Sequence, residues 1–212
     1  MGLSELPLFL VRGGKLVRRT GPRSYVPLEA GAEPLKTMKS AIPPEEVLYV
    51  WDVDGVEAGA ANHEFYQKLE RQRIAPWIDA GCRNAEDAMD AFFAGAEVLT
   101  VRLEHMDESK MMDFADIAEY DFHIALRFSG EHPDSPLTAW DIRRLVGELH
   151  AQGAVLEAST TTNRREFTRF AQLVQSGGID VSLLSTEHVP WLLDAAKELG
   201  VVRIIRPWEA PR

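Results

Sequence analysis

Eight short apolar runs recur along these 212 residues, and segments with helical spacing separate most of them. The runs are Leu6–Val11, Val47–Val53, Ile74–Ala80, Glu97–Leu103, Phe122–Phe128, Ala154–Ser159, Ile179–Ser185 and Val201–Arg206. Each has the length of a strand. Between two of them, Trp140, Ile142, Leu145, Val146 and Leu149 show the i, i+3, i+4 repeat of an amphipathic helix. Strands joined by helices through short links run parallel, because a parallel pair needs a crossover. Eight such units predict an α/β fold, a compact (βα)8 TIM barrel forming a single domain over residues 1–212. A full final helix is not expected, since only "PWEAPR" follows the eighth run. An open doubly wound sheet is the competing arrangement, and it fits less well because sheets of that width usually carry larger insertions.

Helix ends are marked chemically. Thr138 with Asp141, and Asn163 with Glu166, have the spacing of capping boxes, while Asn62 and Asn84 are candidate N-caps. Gly153, Gly177 and Gly200 fall where a left-handed residue closes a last turn. The first connection, Arg12–Val47, is long and rich in Pro and Gly, with one short helical candidate at Glu33–Ala41.

A formal charge of −10 sets the average surface against phosphate backbones and anionic lipid, so neither nucleic acid nor membrane is expected as a partner. The only cysteine, Cys82, allows no intrachain disulfide and no cysteine-based zinc cluster, as in a reducing cytoplasm. The apolar run before Arg12 is too short for a signal peptide or a span. No metal or cofactor motif stands out.

Strand residues alternate between faces, so one register choice sorts each run. Leu99, Val101 and Leu103 oppose Thr100, Arg102 and Glu104; Ile124, Leu126 and Phe128 oppose His123, Ala125 and Arg127. Leu156 opposes Val155 and Glu157, and Tyr49, Trp51 and Val53 oppose Leu48, Val50, Asp52 and Asp54. Taking the apolar sets toward the helices sends Arg12, Asp52, Asp54, Asp79, Arg102, Glu104, Arg127, Glu157 and Arg206 to the barrel mouth. Active sites of barrels lie at that end. Asp54, Asp79, Glu104 and Glu157 are the candidate proton-transfer groups, since crowded carboxyls near apolar walls have raised pKa values. Arg12, Arg102, Arg127 and Arg206, with Asp52 and Ser159, are the candidate substrate contacts for a small anionic metabolite. Ser159–Asn163 reads either as a phosphate site at a helix start or as a cap. His105 and His188 lie in mouth loops, and Met106, Met111 and Met112 read as core filler. A self-neutralising salt network plugging the barrel is the competing reading of the charges.

The stretch "WDVDG" after a strand resembles the opening motif of haloacid-dehalogenase-type phosphatases, which implies Asp52 as nucleophile and Asp54 as general acid. That chemistry needs a later acidic pair at a strand end, and "SLLSTEH" and "IIRPWE" do not supply it. A fuller resemblance is carried by "RGGKLVRR", "LYVWDVDGVEAGAAN" and "APWIDAGCRNAEDAMDAFFAGAEVLTV". These segments resemble the HisA/HisF phosphoribosyl isomerase family of histidine biosynthesis, over the first half of the chain in motif and beyond it in architecture. The resemblance implies a (βα)8 fold and an isomerase acting on a phosphorylated substrate. HisA-like proteins outside histidine biosynthesis also imply a role in making tetrahydromethanopterin-type cofactors. Two departures stand against the family's own reaction. Its two catalytic aspartates fall at Leu10 and Arg127, neither of which transfers a proton. Its glycine-rich phosphate turns read "DAGCRN", "RLEHMD", "STEHVP" and "RPWEAPR" here. A divergent enzyme is the leading expectation, with the ribosylformimino-carboxamide isomerisation and a non-catalytic subunit as alternatives. In the last case, uncovered apolar faces of the last two strands and the first, near Trp191, Pro207 and Trp208, would dock another copy or a partner.

Overall fold

The computed structural model of the chain describes residues 3–21, 23–28, 33–42 and 47–208, without the side chains of His105 and Glu108. In chain order the strands are β1 (Ser4–Arg12), β2 (Lys15–Gly21), β3 (Ser24–Pro27), β4 (Leu48–Asp52), β5 (Pro76–Asp79) and β6 (Val98–Arg102). They continue as β7 (Phe122–Ser129), β8 (His132–Pro133), β9 (Gly153–Ala158), β10 (Val181–Leu184) and β11 (Arg203–Pro207). The helices are α1 (Pro34–Ala41), α2 (Val53–Ala58), α3 (His63–Arg71), α4 (Ala85–Phe93), α5 (Glu108–Met112), α6 (Ala139–Glu148), α7 (Arg164–Gln175) and α8 (Leu192–Leu199).

Eight strands pair in parallel in the order β1, β4, β5, β6, β7, β9, β10, β11, and β11 pairs back onto β1. The sheet is thus a closed α/β barrel wrapped by helices, not an open doubly wound sheet. Followed from ladder to ladder, Leu8 leads to Tyr49, Trp77 and Val98, and the circuit returns to β1 displaced by eight residues. All eight apolar runs of the sequence are barrel strands.

Both faces of these strands are buried, as parallel sheets require. Phe9, Val50, Ile78, Leu99, Val101, Ile124, Leu126, Leu156, Leu183 and Ile204 form the layer under the helices. Leu6, Leu8, Leu10, Tyr49, Trp51, Trp77, Ala125, Val155, Leu184 and Ile205 fill the interior. Two register choices are overturned here. On β4 the aromatic residues Tyr49 and Trp51 point inward, so Leu48, Val50 and Asp52 face the helix side. On β11, Ile205 points inward and Arg206 turns outward, where it pairs with Glu5 of β1 at 2.5 Å. A strand buried on both faces carries no polar–apolar contrast, so charge alone misplaced these two.

The outer side of the β11–β1 seam is not the bare apolar face expected. Ile204 and Phe9 are buried, Trp208 stacks on Phe9 at 5.3 Å between ring centroids, and its N–H donates to the Leu8 carbonyl. Residues 209–212, which complete "PWEAPR", lie outside the described residues. Trp191 packs edge-on against Phe167 in the core of its own barrel.

The long first connection contains a hairpin that its weak apolar pattern does not mark. Gly13 and Gly14, both at positive φ, turn β1 into β2, which pairs antiparallel with β1 and then with β3. Two consecutive left-handed residues are the requirement of a type I′ hairpin turn. The cap at Thr138 is a full capping box, and Asn84 and Asn163 accept the expected N–H groups. Asn62 instead turns its amide toward Asp52 and Asp54. Gly200 closes α8, whereas His150 and Gly178 take the positive-φ positions expected of Gly153 and Gly177. Among the described residues no helix is long and apolar enough to cross a membrane.

Candidate functional site

Five of the inward-facing charges meet at the C-terminal mouth. Asp79 ends β5, Arg102 ends β6, Arg127 and Glu157 are register partners on β7 and β9, and Glu104 follows in the turn after β6. Arg102 is the hub. Its Nε donates to Asp79 Oδ2 at 2.8 Å, and its Nη1 donates to Glu104 Oε1 and to Glu157 Oε2, each at 2.9 Å. Its Nη2 lies 2.6 Å from the same Asp79 oxygen but off the line of a hydrogen bond. The guanidinium rests on the Trp51 ring, 4.1 Å from its centroid. Arg102 and Glu157 are 1% exposed and Asp79 is fully buried, so solvent screens little of this charge.

Burial raises the pKa of Asp79 and Glu157 above the ordinary carboxyl range, with the Arg102 charge opposing it in both. Burial works against the Arg102 cation, but Asp79, Glu157 and Glu104 more than offset it, and its pKa rises. Arg127 is a third exposed, with Nε 3.7 Å from Glu157 Oε1 and 3.8 Å from Asp134 Oδ2. Beneath the cluster, Trp77 Nε1 and the Tyr49 hydroxyl both bond Thr100 Oγ1, and Tyr49 also reaches Asp79 at 3.4 Å.

The β2–β3 hairpin covers this mouth. Val17 is buried among the interior residues and Tyr25 packs on them. Arg19 Nη1 donates to Thr186 Oγ1 across the mouth at 2.8 Å, and the Tyr25 hydroxyl donates to Glu57 at 2.5 Å. The Arg12 guanidinium lies 5.7 Å from the Tyr25 ring centroid and 3.8 Å from Asp54. Arg19 and Arg127 are both near enough to oppose the rise that burial imposes on the Tyr25 hydroxyl. Arg19 was missed from sequence because its hairpin was; the Gly13-Gly14 pair at the end of an apolar run was the available signal.

The remaining candidates fall elsewhere. Asp52 is fully buried on the helix side and caps α2, accepting from the N–H groups of Asp54, Gly55 and Asn62, from the Asn62 amide and from the Tyr66 hydroxyl. Burial raises its pKa against the pull of those bonds, and both oxygens are taken, leaving neither as a nucleophile or a substrate contact. Asp54 sits in the first turn of α2 at the rim, accepting from Gly13 N–H at 2.6 Å and from the Asn62 amide. Ser159 spends its hydroxyl on Thr161 and Thr162 of its own turn and on the Phe128 carbonyl of β7. Arg206 is on the outer face, away from the mouth. Cys82 is buried and its thiol pKa is pushed up by burial, which suits an inert packing residue. Met111 is core, but Met112 is 40% exposed. The side chain of His105 lies outside the described residues.

Among the described residues no group of three His, Cys, Asp or Glu side chains could hold a metal ion. The arrangement sets buried carboxyls with raised pKa values beside guanidinium groups at the rim that can meet an entering ligand. Comparison with models of known protein families and with curated proteins gives no match.

Proposed function

We propose that the chain is a (βα)8 TIM-barrel enzyme, a divergent relative of the HisA/HisF phosphoribosyl isomerases, acting on a small anionic substrate by acid–base chemistry at the covered mouth. One observation carries this reading: three carboxyl groups converge on one buried guanidinium at the strand ends where barrels place catalytic groups. The eight-residue displacement around the closed sheet supports the (βα)8 geometry. Burial raises the pKa of Asp79 and Glu157 against the pull of Arg102, the direction that general acid–base work favours. Arg102 is engaged by three carboxylates, so it positions them and is not the substrate contact. The anion falls to Arg127, Arg12 and Arg19 at the rim. The pathway suggested by the resemblance is the making of a tetrahydromethanopterin-type cofactor.

The family's own isomerisation is less well supported, because Leu10 is part of the interior apolar cluster and Arg127 is a guanidinium. Turnover of the ribosylformimino-carboxamide substrate by purified protein would restore it.

Titration calorimetry with inorganic phosphate tests the main reading. Wild-type protein should bind it in the millimolar range, and Arg127→Ala should bind at least about tenfold more weakly. The melting temperature of Arg127→Ala should stay within about 2–4 °C of wild type. A second reading, a non-catalytic barrel braced by a salt network, is favoured by the fact that Arg102, Asp79, Glu104 and Glu157 already have oppositely charged partners in the chain. Under that reading Arg127→Ala and Glu104→Gln lose folding, and phosphate does not bind even the wild type.

A further inference from the structure

Four buried polar atoms at the mouth have no hydrogen-bond partner among the described residues: Trp51 Nε1, Arg102 Nη2, Glu104 Oε2 and Arg127 Nε. All belong to side chains that touch Arg102 or Glu157. The Trp51 ring lies against the Arg102 guanidinium, Glu104 bonds Arg102, and Arg127 stands beside Glu157. Buried polar groups in native proteins are nearly always satisfied, so a concentration of orphans in one place needs a cause. Trp51 is 3% exposed and Glu104 9% in its side chain, so bulk solvent is not the partner. The orphans are of two kinds, N–H donors and one carboxylate oxygen.

The charges narrow the ligand. Asp79, Glu104, Glu157 and Asp134 set four acidic groups against the two guanidinium groups of Arg102 and Arg127. A bare anion entering a poorly screened site of this sign is opposed by it. A bare cation suits the charge but leaves the N–H donors unmatched. A group carrying both an ammonium and a carboxylate adds no net charge and offers a partner to each kind of orphan.

We propose that the inner mouth binds the zwitterionic head of an amino-acid-type substrate, with its ammonium on Glu104 Oε2 and its carboxylate on Trp51 Nε1 and Arg127 Nε. This rests on the reading of the mouth as a substrate site and names the class of molecule it takes. A further anionic group on the same substrate meets Arg12 and Arg19 at the rim. The ligand enters when the hairpin lifts, parting Arg19 from Thr186 and Tyr25 from Glu57.

The test uses protein with nitrogen-15-labelled tryptophan, the Trp51 indole signal being assigned by its loss in Trp51→Phe. Glycine, acetate and methylammonium are titrated separately to about 100 mM, a range that reads millimolar affinity. Glycine should shift the Trp51 signal saturably, and acetate and methylammonium should not. Glu104→Gln should weaken glycine at least about tenfold, the loss of one charge-assisted hydrogen bond. Arg127→Lys, which keeps the charge but removes the Nε–H, should weaken it in the same direction and stands in should Glu104→Gln not fold. A Trp51 shift with acetate as large as with glycine overturns the zwitterion and leaves the anionic-substrate reading standing. An equal shift with methylammonium overturns it in favour of a simple cation site. No shift with any of the three removes the inner subsite, and the phosphate titration then judges the mouth by itself.

Discussion

His123 and Asp79 share one barrel interior yet answer acid in opposite senses. His123 stacks on Trp77 at 4.3 Å, and burial, aided by the Arg203 charge, lowers its pKa to about 3. Its neutral form is the folded form. The stability it contributes is therefore complete above the ordinary histidine value of 6.5 and drains away as pH falls toward 3. Asp79 and Glu157 have raised values, so the fold holds their protons more tightly than the unfolded chain does. Their contribution is complete in acid and is lost as pH rises through the folded values. Urea unfolding between pH 4 and 8 separates the two. His123→Phe should recover about 3 kcal/mol of the loss seen between pH 6.5 and pH 4, at roughly 1.4 kcal/mol per pH unit. Asp79→Asn should flatten the decline on the alkaline side. Arg102→Met removes the hub and leaves three carboxyl groups buried without their cation, so a loss of about 3–5 kcal/mol is expected in the same assay. Arg102, Glu104, Arg127 and Glu157 were legible from strand alternation, and Asp79 from its place at the end of an apolar run. Asp52 and Arg206 were not, because on strands buried on both sides charge is no sign of the inner face.

At the scale of elements, the "DVDG" stretch is a packing joint. A Cβ on Gly55 would lie 2.2 Å from the Ala80 carbonyl oxygen, and one on Gly81 would lie 2.4 Å from the Gly55 carbonyl oxygen. The turn from β4 into α2 and the turn after β5 therefore approach backbone to backbone, with Asp52 capping the helix beside them. Gly81 also has a φ of 67°, which a side chain would strain. Gly55→Ala should destabilise the fold by about 2–4 kcal/mol in urea titration, well beyond the effect of one added methyl in open space. Gly147→Ala, where nothing lies within 4 Å, should not destabilise. The strands were legible because their apolar runs are bounded by caps and glycines. The β2–β3 hairpin was not, since "KLVRRTG" has a single apolar pair and Thr186, which Arg19 reaches across the mouth, lies far along the chain.

The molecule as a whole is a ring whose closure joins residues about as far apart in sequence as the chain allows: Ser4 pairs with Arg203, and Leu8 with Pro207. The alternation of strand and helix foretold parallel strands and their number, but closure itself depends on that one long-range ladder. Its outer side is dressed by the Glu5–Arg206 ion pair and the Phe9–Trp208 stack. Loss of β11 should leave protein that unfolds without a cooperative transition, a behaviour read by circular dichroism in urea.

The seam has a consequence during synthesis. Until Arg203–Pro207 has cleared the ribosome, β1 and the newest strand each present a raw edge of unpaired amides and carbonyls. A nascent chain that stalls late can satisfy its first strand with the last strand of a neighbouring copy. Interlocked dimers are the error expected of such a ring, and slowing translation before Arg203–Pro207 is made should increase their share.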